Sequence, residues 1–357
     1  MTEPIRVGVV GFGLAGRIFH TAVIQATPGL ELAAVVQRSG DDAKKEYPEA
    51  HLARSVEEML ADVGIQLVVI ATPSYSHYEL AKQCLHEQRH VVIDKPFTLT
   101  SEEAAKLITM ARHRNLTVTA YQNRRWDGDF KTVRQVIASG ELGRLVSFES
   151  HFDRFRPAPR SDVWRESGGP GGGTLFDLGP HLIDQALTLF GTPASLTANV
   201  RVEREGAAVD DAWDVFLEYE QPRRMTVLLR ATSSACASGP RYILHGTKGS
   251  FTKWRLDPQE EQLKAGMRPD SPGFGEEPES AWGELKLCAE PSPVIRRVKT
   301  ERGDYRGFYE NVRDVLWGKA ELEVTPEEAW RTTRLIELAR ESSAQGRRIR
   351  VDFSAQL

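Results

Sequence analysis

Hydrophobic and polar positions change their rhythm along this chain near residue 125. Up to residue 123, short apolar runs alternate with amphipathic ones. IRVGVVG (5–11), LELAAVVQ (30–37), QLVVIATP (66–73), HVVIDKP (90–96) and TVTAYQN (117–123) read as buried strands, and HLARS (51–55) as a weaker one. The stretches between them read as helices. GRIFHTAVIQA (16–26) is ended by Pro28-Gly29, and another helix opens at TSEEAAKL, where Thr100 and Glu103 have capping-box spacing. Strands alternating with helices predict a parallel, doubly wound α/β sheet.

Beyond residue 125 the period becomes two. LVSFESHF (145–152) sets Val146, Phe148 and Phe152 on one face, and LTANVRVE (196–203) sets Ala198, Val200 and Val202 opposite Asn199, Arg201 and Glu203. WDVFLEYE, RRMTVLLRA and YILHGTKGSF follow with turn-rich links, which predicts an antiparallel sheet with one face covered. The polar, Pro- and Gly-rich stretch 256–300 reads as long loops. TPEEAWRTTRLIELARES reads as a helix, with Thr325 and Glu328 at capping-box spacing and Pro326 at its first position. Two domains follow, 1–124 and 125–357, as the 357-residue length also suggests at roughly 100–200 residues per domain.

Composition narrows the class. A net charge of -4 without long single-sign runs offers no broad basic surface for nucleic acid. No apolar run approaches the ~20 residues of a membrane span, and IRVGVVG follows MTEP without room for a signal segment. Cys84, Cys236 and Cys288 are odd in number and far apart, so they form neither a disulfide framework nor a zinc site. A cytoplasmic protein is expected.

Gly11-Phe12-Gly13-Leu14-Ala15-Gly16 fits G-x-G-x-x-G between a predicted strand and a predicted helix, the context that gives the motif meaning. Gly11 permits the turn, Gly13 admits a pyrophosphate to the backbone, and Gly16 lets helix and strand pack closely. Leu14 and Ala15 bring the helix start to the same anion. An NAD-type site places a carboxylate ~20 residues further on, but this chain reads Val36-Gln37-Arg38-Ser39 there. Arg38 pairing with a 2′-phosphate, and Ser39 donating to it, favour NADP, with NAD the less favoured cofactor. An exposed arginine beside a permissive site is the alternative.

Ligands of an open parallel sheet sit outside the carboxyl ends of its strands. Thr72 and Pro73, with His77, close one strand and Asp94-Lys95-Pro96 closes the next. From position alone, Lys95 either reaches a nicotinamide and a substrate or merely ends a strand in solvent. In GGPGGGTLFDLGPHLIDQ (168–185), Asp177 and His181 are four apart and share a helix face, with Asp184 placed to steady the imidazole. A neutral imidazole near pH 7 suits proton abstraction from an alcohol, although an isolated D-x-x-x-H more often marks an ordinary helix start. No third metal ligand has recognisable spacing, so no metal is expected. The glycines at 168–173 lack the strand before, the helix directly after and the Lys-Ser/Thr pair of a phosphate cradle, and read as conformational.

GFGLAG (11–16), ATPSYSH (71–77), DKP (94–96) and DLGPHLID (177–184) together resemble the Gfo/Idh/MocA oxidoreductase family, with Asp94 where the family has Glu. YQNRRWDGDF (121–130), RFRP (154–157), GTLFDLGPHLIDQ (173–185) and GPRYILHG (239–246) resemble its NADP-dependent scyllo-inositol 2-dehydrogenase subgroup. The resemblance implies a Rossmann domain followed by an α/β domain with a large open, mostly antiparallel sheet that often forms a dimer contact, hence a homodimer or homotetramer. It implies Lys95, Asp177 and His181 as the catalytic set and Trp164 and Arg165 beside the cofactor. Tyr121, Asn123, Arg125 and Arg156 would contact a cyclic polyol. The implied reaction is reversible oxidation of scyllo-inositol to its 2-ketone. A sugar or keto-sugar substrate is the alternative. A non-catalytic NADP-binding regulator is a third reading, disfavoured because Lys95 and His181 are both present.

Overall fold

The strands of the first unit are buried on both faces, which is why they read as unbroken apolar runs. The computed structural model describes residues 3–160, 162–220 and 224–353. Its first sheet contains β1 (Ile5–Val10), β2 (Leu30–Val36), β3 (His51–Ala53), β4 (Leu67–Ile70), β5 (His90–Ile93) and β6 (Val118–Ala120), in the order β3-β2-β1-β4-β5-β6. Every pairing is parallel. The side chains of Leu67 to Ile70 and of Val91 to Ile93 are wholly buried, and each contributes roughly 1.5–3 kcal/mol. Strand order reverses between β1 and β4, the place where such sheets bind ligands.

Local signals hold where the chain can be read locally. Ser101–Arg114 is a helix whose Thr100 cap and Glu103 side chain close a capping box. Thr325 and Glu328 exchange the same bonds at 3.0 and 3.2 Å before the helix Pro326–Gln345. The first unit comprises the residues up to Asn123 together with Gln259–Phe274 and Asp304–Thr333. The later segments bring Tyr305, Phe308 and Tyr309 into an aromatic cluster with Phe19 and Tyr121, edge-to-face except for the tilted Tyr121–Tyr309 pair.

The second unit comprises Arg124–Pro258, Gly275–Gly303 and the residues from Arg334 onward. Its sheet contains β7 (Leu145–Asp153), β8 (Ser195–Arg201), β9 (Ala212–Tyr219), β10 (Met225–Thr232), β11 (Tyr242–Gly246), β12 (Gly249–Lys253), β13 (Gly283–Leu287), β14 (Val294–Val298) and β15 (Ile349–Arg350). The order is β14-β13-β12-β11-β7-β10-β9-β8-β15, antiparallel except for the β7–β10 pair. The helix Thr174–Phe190 packs on β7, β9 and β10. Phe148 lies against Phe190 at 5.1 Å, and Phe152, Val215, Leu217, Val227 and Leu229 complete the apolar layer.

Three expectations from the pattern need correction. The stretch 256–300 is not all loop, because it supplies the helix Gln259–Lys264 and strands β13 and β14. β14 is an edge strand with every position exposed or half-exposed, so it has no buried face to give a period. Val202 lies beyond the end of β8 and is exposed, and Val146 is exposed although it shares the face of Phe148. Among the described residues, no helix is long and apolar enough to cross a membrane.

Cys84 is buried, and burial pushes its thiol up to about 12, whereas Cys236 and Cys288 are exposed. A thiolate-specific reagent at about pH 8 should therefore titrate two thiols in the native protein and release the third only after unfolding. A rapid native titre of three would contradict this core.

Candidate active site

The carboxyl rim of the first unit's sheet is a consequence of strand register. Val36, Val10, Ile70, Ile93 and Ala120 are paired in one row across the parallel sheet. The next residues continue the ladder: Gly11 N–H donates to Val36 O, Ala71 to Val10 O, Asp94 to Ile70 O and Tyr121 to Ile93 O, at 2.8–3.0 Å. Gly11, Thr72, Lys95 and Tyr121 therefore emerge along one rim.

The three motif glycines have three separate reasons. Gly11 turns at φ +101°, where a Cβ would stand 2.8 Å from Ala71 O. A Cβ on Gly16 would stand 2.0 Å from Gly11 O, so helix and turn pack backbone to backbone. A Cβ on Gly13 would meet nothing within 4 Å. That open side lies at the start of a π-helical turn, Ala15–Thr21, whose N-terminus has no side-chain cap. Uncapped N–H groups beside an open glycine fit a dinucleotide pyrophosphate.

At the end of β2, Arg38 and Ser39 are exposed. Arg54 donates to the carbonyls of Gln37 and Gly40 and so braces this loop from within. Arg54 is a second cation here that the motif does not reveal, because it comes from the end of β3, the next strand. Thr72 Oγ1 lies 2.7 Å from Ser76 Oγ, and the Ser76 hydroxyl also reaches Pro73 O. His77 is buried with its ring nitrogens on Pro96 O and Thr72 O.

Asp94 turns its carboxylate back onto its own chain, accepting the Lys95 N–H at 2.9 Å. The peptide bond that follows, Lys95–Pro96, is cis. Burial alone would raise the Asp94 carboxyl, but the His20 imidazole and the charges of Lys95 and His77 outweigh it and hold it below the usual carboxylate range. His20 Nε2 stands 3.7 Å from Asp94, and its Nδ1 stands 2.6 Å from the Tyr309 hydroxyl. Tyr121 lies over His20 at 4.3 Å between ring centres and donates its hydroxyl to Phe19 O at 2.8 Å. Asn123 is buried in the turn Asn123–Trp126.

The second unit carries its own cluster, built on the helix Thr174–Phe190. Three of the preceding glycines, Gly168, Gly171 and Gly173, have positive φ, which few other residues tolerate. They bring the Gly173 N–H to Arg165 O at 2.8 Å. The helix start is filled by Asp210, whose carboxylate accepts the Leu175 N–H at 2.7 Å and whose carbonyl accepts the Thr174 N–H. Burial pushes the Asp210 carboxyl up, against the Leu175 bond and the Arg340 charge. This glycine run therefore shapes a turn whose anion partner is the protein's own carboxylate.

Asp177 and His181 follow on one face of that helix. His181 is 4% exposed, while the Asp177 side chain keeps 23% of its surface and lies between two guanidiniums, 3.6 Å from Arg154 and 3.5 Å from Arg165. Arg165 also stacks on Trp164 at 4.6 Å, and both are half-buried. Arg156 is exposed. Arg154 was legible in principle, because it extends the inward face of Ser150 and Phe152 by one more step of two.

Residues 122–125 and Asp127 are buried, and Trp126 is half-buried. Arg125 grips Asp184 with two bonds at 2.6 and 2.7 Å, which turns Asp184 into the counter-ion of this arginine. Arg241 donates to Ser150, His151 O, Gln185 and the Tyr242 hydroxyl and lies 3.6 Å from Asp129. Three guanidiniums, of Arg154, Arg124 and Arg241, surround the Phe152 ring at 4.6, 5.0 and 5.3 Å. Removing one partner from a buried pair of this kind costs about 3–5 kcal/mol.

Comparison with known proteins matches one family model to each part of the chain. The family described as "Oxidoreductase family, NAD-binding Rossmann fold" matches residues 5–122, and the "Oxidoreductase family, C-terminal alpha/beta domain" matches residues 134–352, both parts of Gfo/Idh/MocA. The uncharacterized oxidoreductase YdgJ of Escherichia coli is 41% identical over 96% of this chain and 97% of its own. The scyllo-inositol 2-dehydrogenase (NADP(+)) IolW of Bacillus subtilis is 34% identical over 98% and 97%. The solved structure of the Bacillus subtilis protein yvaA superposes with a TM-score of 0.94 at 34% identity, covering 98% of this chain and 99% of that one.

The two glycine geometries separate fold from binding. Gly16→Ala forces a Cβ into the Gly11 carbonyl and should destabilise the protein by about 1–3 kcal/mol. Gly13→Ala has room and should leave the melting temperature unchanged while weakening dinucleotide binding roughly tenfold. Thermal melts and cofactor fluorescence titration of both variants check this, and equal effects would contradict it.

Proposed function

The chain belongs to the Gfo/Idh/MocA oxidoreductase family, and from that premise we propose that it is an NADP-dependent dehydrogenase of a cyclic polyol, converting scyllo-inositol reversibly to its 2-ketone. The observation that carries this reading is the placement of Asp177 and His181 on one helix face, with Asp177 between Arg154 and Arg165. A base, a carboxylate acceptor and charged donors suit a substrate that presents hydroxyls and little else. The name of the near-full-length relative IolW supports the polyol, and its printed cofactor supports NADP. The carboxylate-free end of β2, with Arg38 and Ser39 exposed, supports the same cofactor.

In this reading the bound dinucleotide supplies the hydride acceptor in one direction and the donor in the other. Gly11, Gly13 and Gly16 with the uncapped helix start hold its pyrophosphate, and Arg38 and Ser39 hold the 2′-phosphate. His181 takes the proton from the ring hydroxyl during oxidation and returns it during reduction. Lys95 donates to the same oxygen and stabilises its developing negative charge. Asp177 accepts from a neighbouring hydroxyl and fixes which carbon reacts, with Arg154 and Arg165 flanking it. Arg125 acts through Asp184, by holding the helix that carries both residues.

The test is cofactor reduction by the purified protein, with NADP and NAD in parallel against scyllo-inositol, myo-inositol, glucose and xylose, and the reverse reaction with the keto-inositol and NADPH. Turnover confined to a sugar would keep the mechanism and overturn the polyol. His181→Ala should lower kcat by about 10²–10⁴ with little change in NADPH affinity, and equal losses in both would count against His181 as the base. Arg38→Ala should weaken NADP binding roughly 10- to 100-fold, the worth of a charge-assisted hydrogen bond, and leave NAD unchanged. An equal effect on both cofactors would remove Arg38 from the 2′-phosphate.

A further inference from the structure

His77 opens the helix His77–His86 and is 1% exposed. Its Nδ1 lies 2.8 Å from Pro96 O and its Nε2 lies 2.9 Å from Thr72 O. Both partners are backbone carbonyls, which only accept. A neutral imidazole has one N–H and one lone pair. Either neutral tautomer would therefore press a lone pair against a carbonyl oxygen in one of the two contacts. Only the doubly protonated ring donates to both.

Burial opposes a charged imidazole unless an anion is near. That anion is Asp94, largely buried at the end of β5 and exposed to the charge of His77. The other groups facing Asp94 are Lys95, whose N–H it accepts, and His20, which stands at 3.7 Å. The Tyr309 hydroxyl occupies the far nitrogen of His20, and burial keeps that phenol protonated. Asp94 is the carboxylate of this cluster, and its charge reaches His77.

We propose that His77 is a buried imidazolium that staples the loop after β4 to the loop after β5, and is thereby a positioning residue for Lys95. Its two acceptors belong to Thr72, which precedes Pro73, and to Pro96, which follows Lys95. The staple fixes the backbone on the far side of Lys95, while Asp94 fixes the Lys95 N–H. His77 does not itself touch the reacting atoms. The positioning role rests on the reading of Lys95 as catalytic, whereas the charge state does not.

Two measurements on the full chain test it. The first is the side-chain 15N spectrum of histidine between about pH 6 and about pH 9, with His77 assigned by the signals lost in His77→Gln. Both His77 nitrogens should keep imidazolium-type shifts across that range. A lone-pair nitrogen on His77 at about pH 7.5 would overturn the charge assignment, whatever the enzyme turns over. The second is kinetic. His77→Gln can serve one carbonyl as donor but not both, and should lower kcat about tenfold or more with NADPH affinity within about twofold. The opposite split, weakened NADPH binding at normal kcat, would make His77 a cofactor contact and overturn the positioning role. Should His77→Gln not fold, His77→Asn serves both for the assignment and for the kinetic comparison.

Discussion

Parallel pairing forces neighbouring strands to end on the same edge of a sheet, and in this protein the registers of β1, β2, β4, β5 and β6 make them end at the same height. The chemistry of the first unit depends on that alignment. A glycine turn, an exposed arginine, a threonine-proline loop and a lysine come from segments distant in sequence, yet each is delivered as the next residue or two after a paired row. None of them needs a long flexible arm. Precision here comes from backbone hydrogen bonds, whose many weak contributions add along a ladder.

The second unit solves its positioning problem with charge. Its long helix is buried nearly all round, and the residues that orient it are ionic: Arg125 on Asp184, Asp210 at the start, Gln185 held by Arg241. Buried ion pairs of this kind give little net stability and make misplacement expensive. Such a network tolerates few alternative registers of the helix. The face that carries Asp177 and His181 is therefore fixed by neighbours that do not themselves take part in the chemistry.

What could be read from the sequence was what is encoded locally. The glycine motif, the two capping boxes and the alternation of strands are each complete within about a dozen residues, and the periods of burial separate the two sheets. The failures share a cause as well. β14 has no buried face, so no period betrays it. Asp210 reaches the helix start from a turn far downstream, and its acidic type alone does not single it out among the chain's carboxylates. The pairing of Asp184 with Arg125, and the double donation by His77, depend on which partners the fold brings near. Arg154 is the intermediate case, because one further step of strand alternation leads to it.

The chain contains two glycine-rich entries to helices, and they differ in what satisfies their first N–H groups. At Ala15–Thr21 no side chain caps the turn. At Thr174–Phe190 the cap is a carboxylate held by the fold itself. The second entry thus carries a built-in competitor for anions. Dissolved phosphate or a stray nucleotide would have to displace a tethered group at very high local concentration. Discrimination between the two helix starts is in this sense a matter of occupancy rather than of shape.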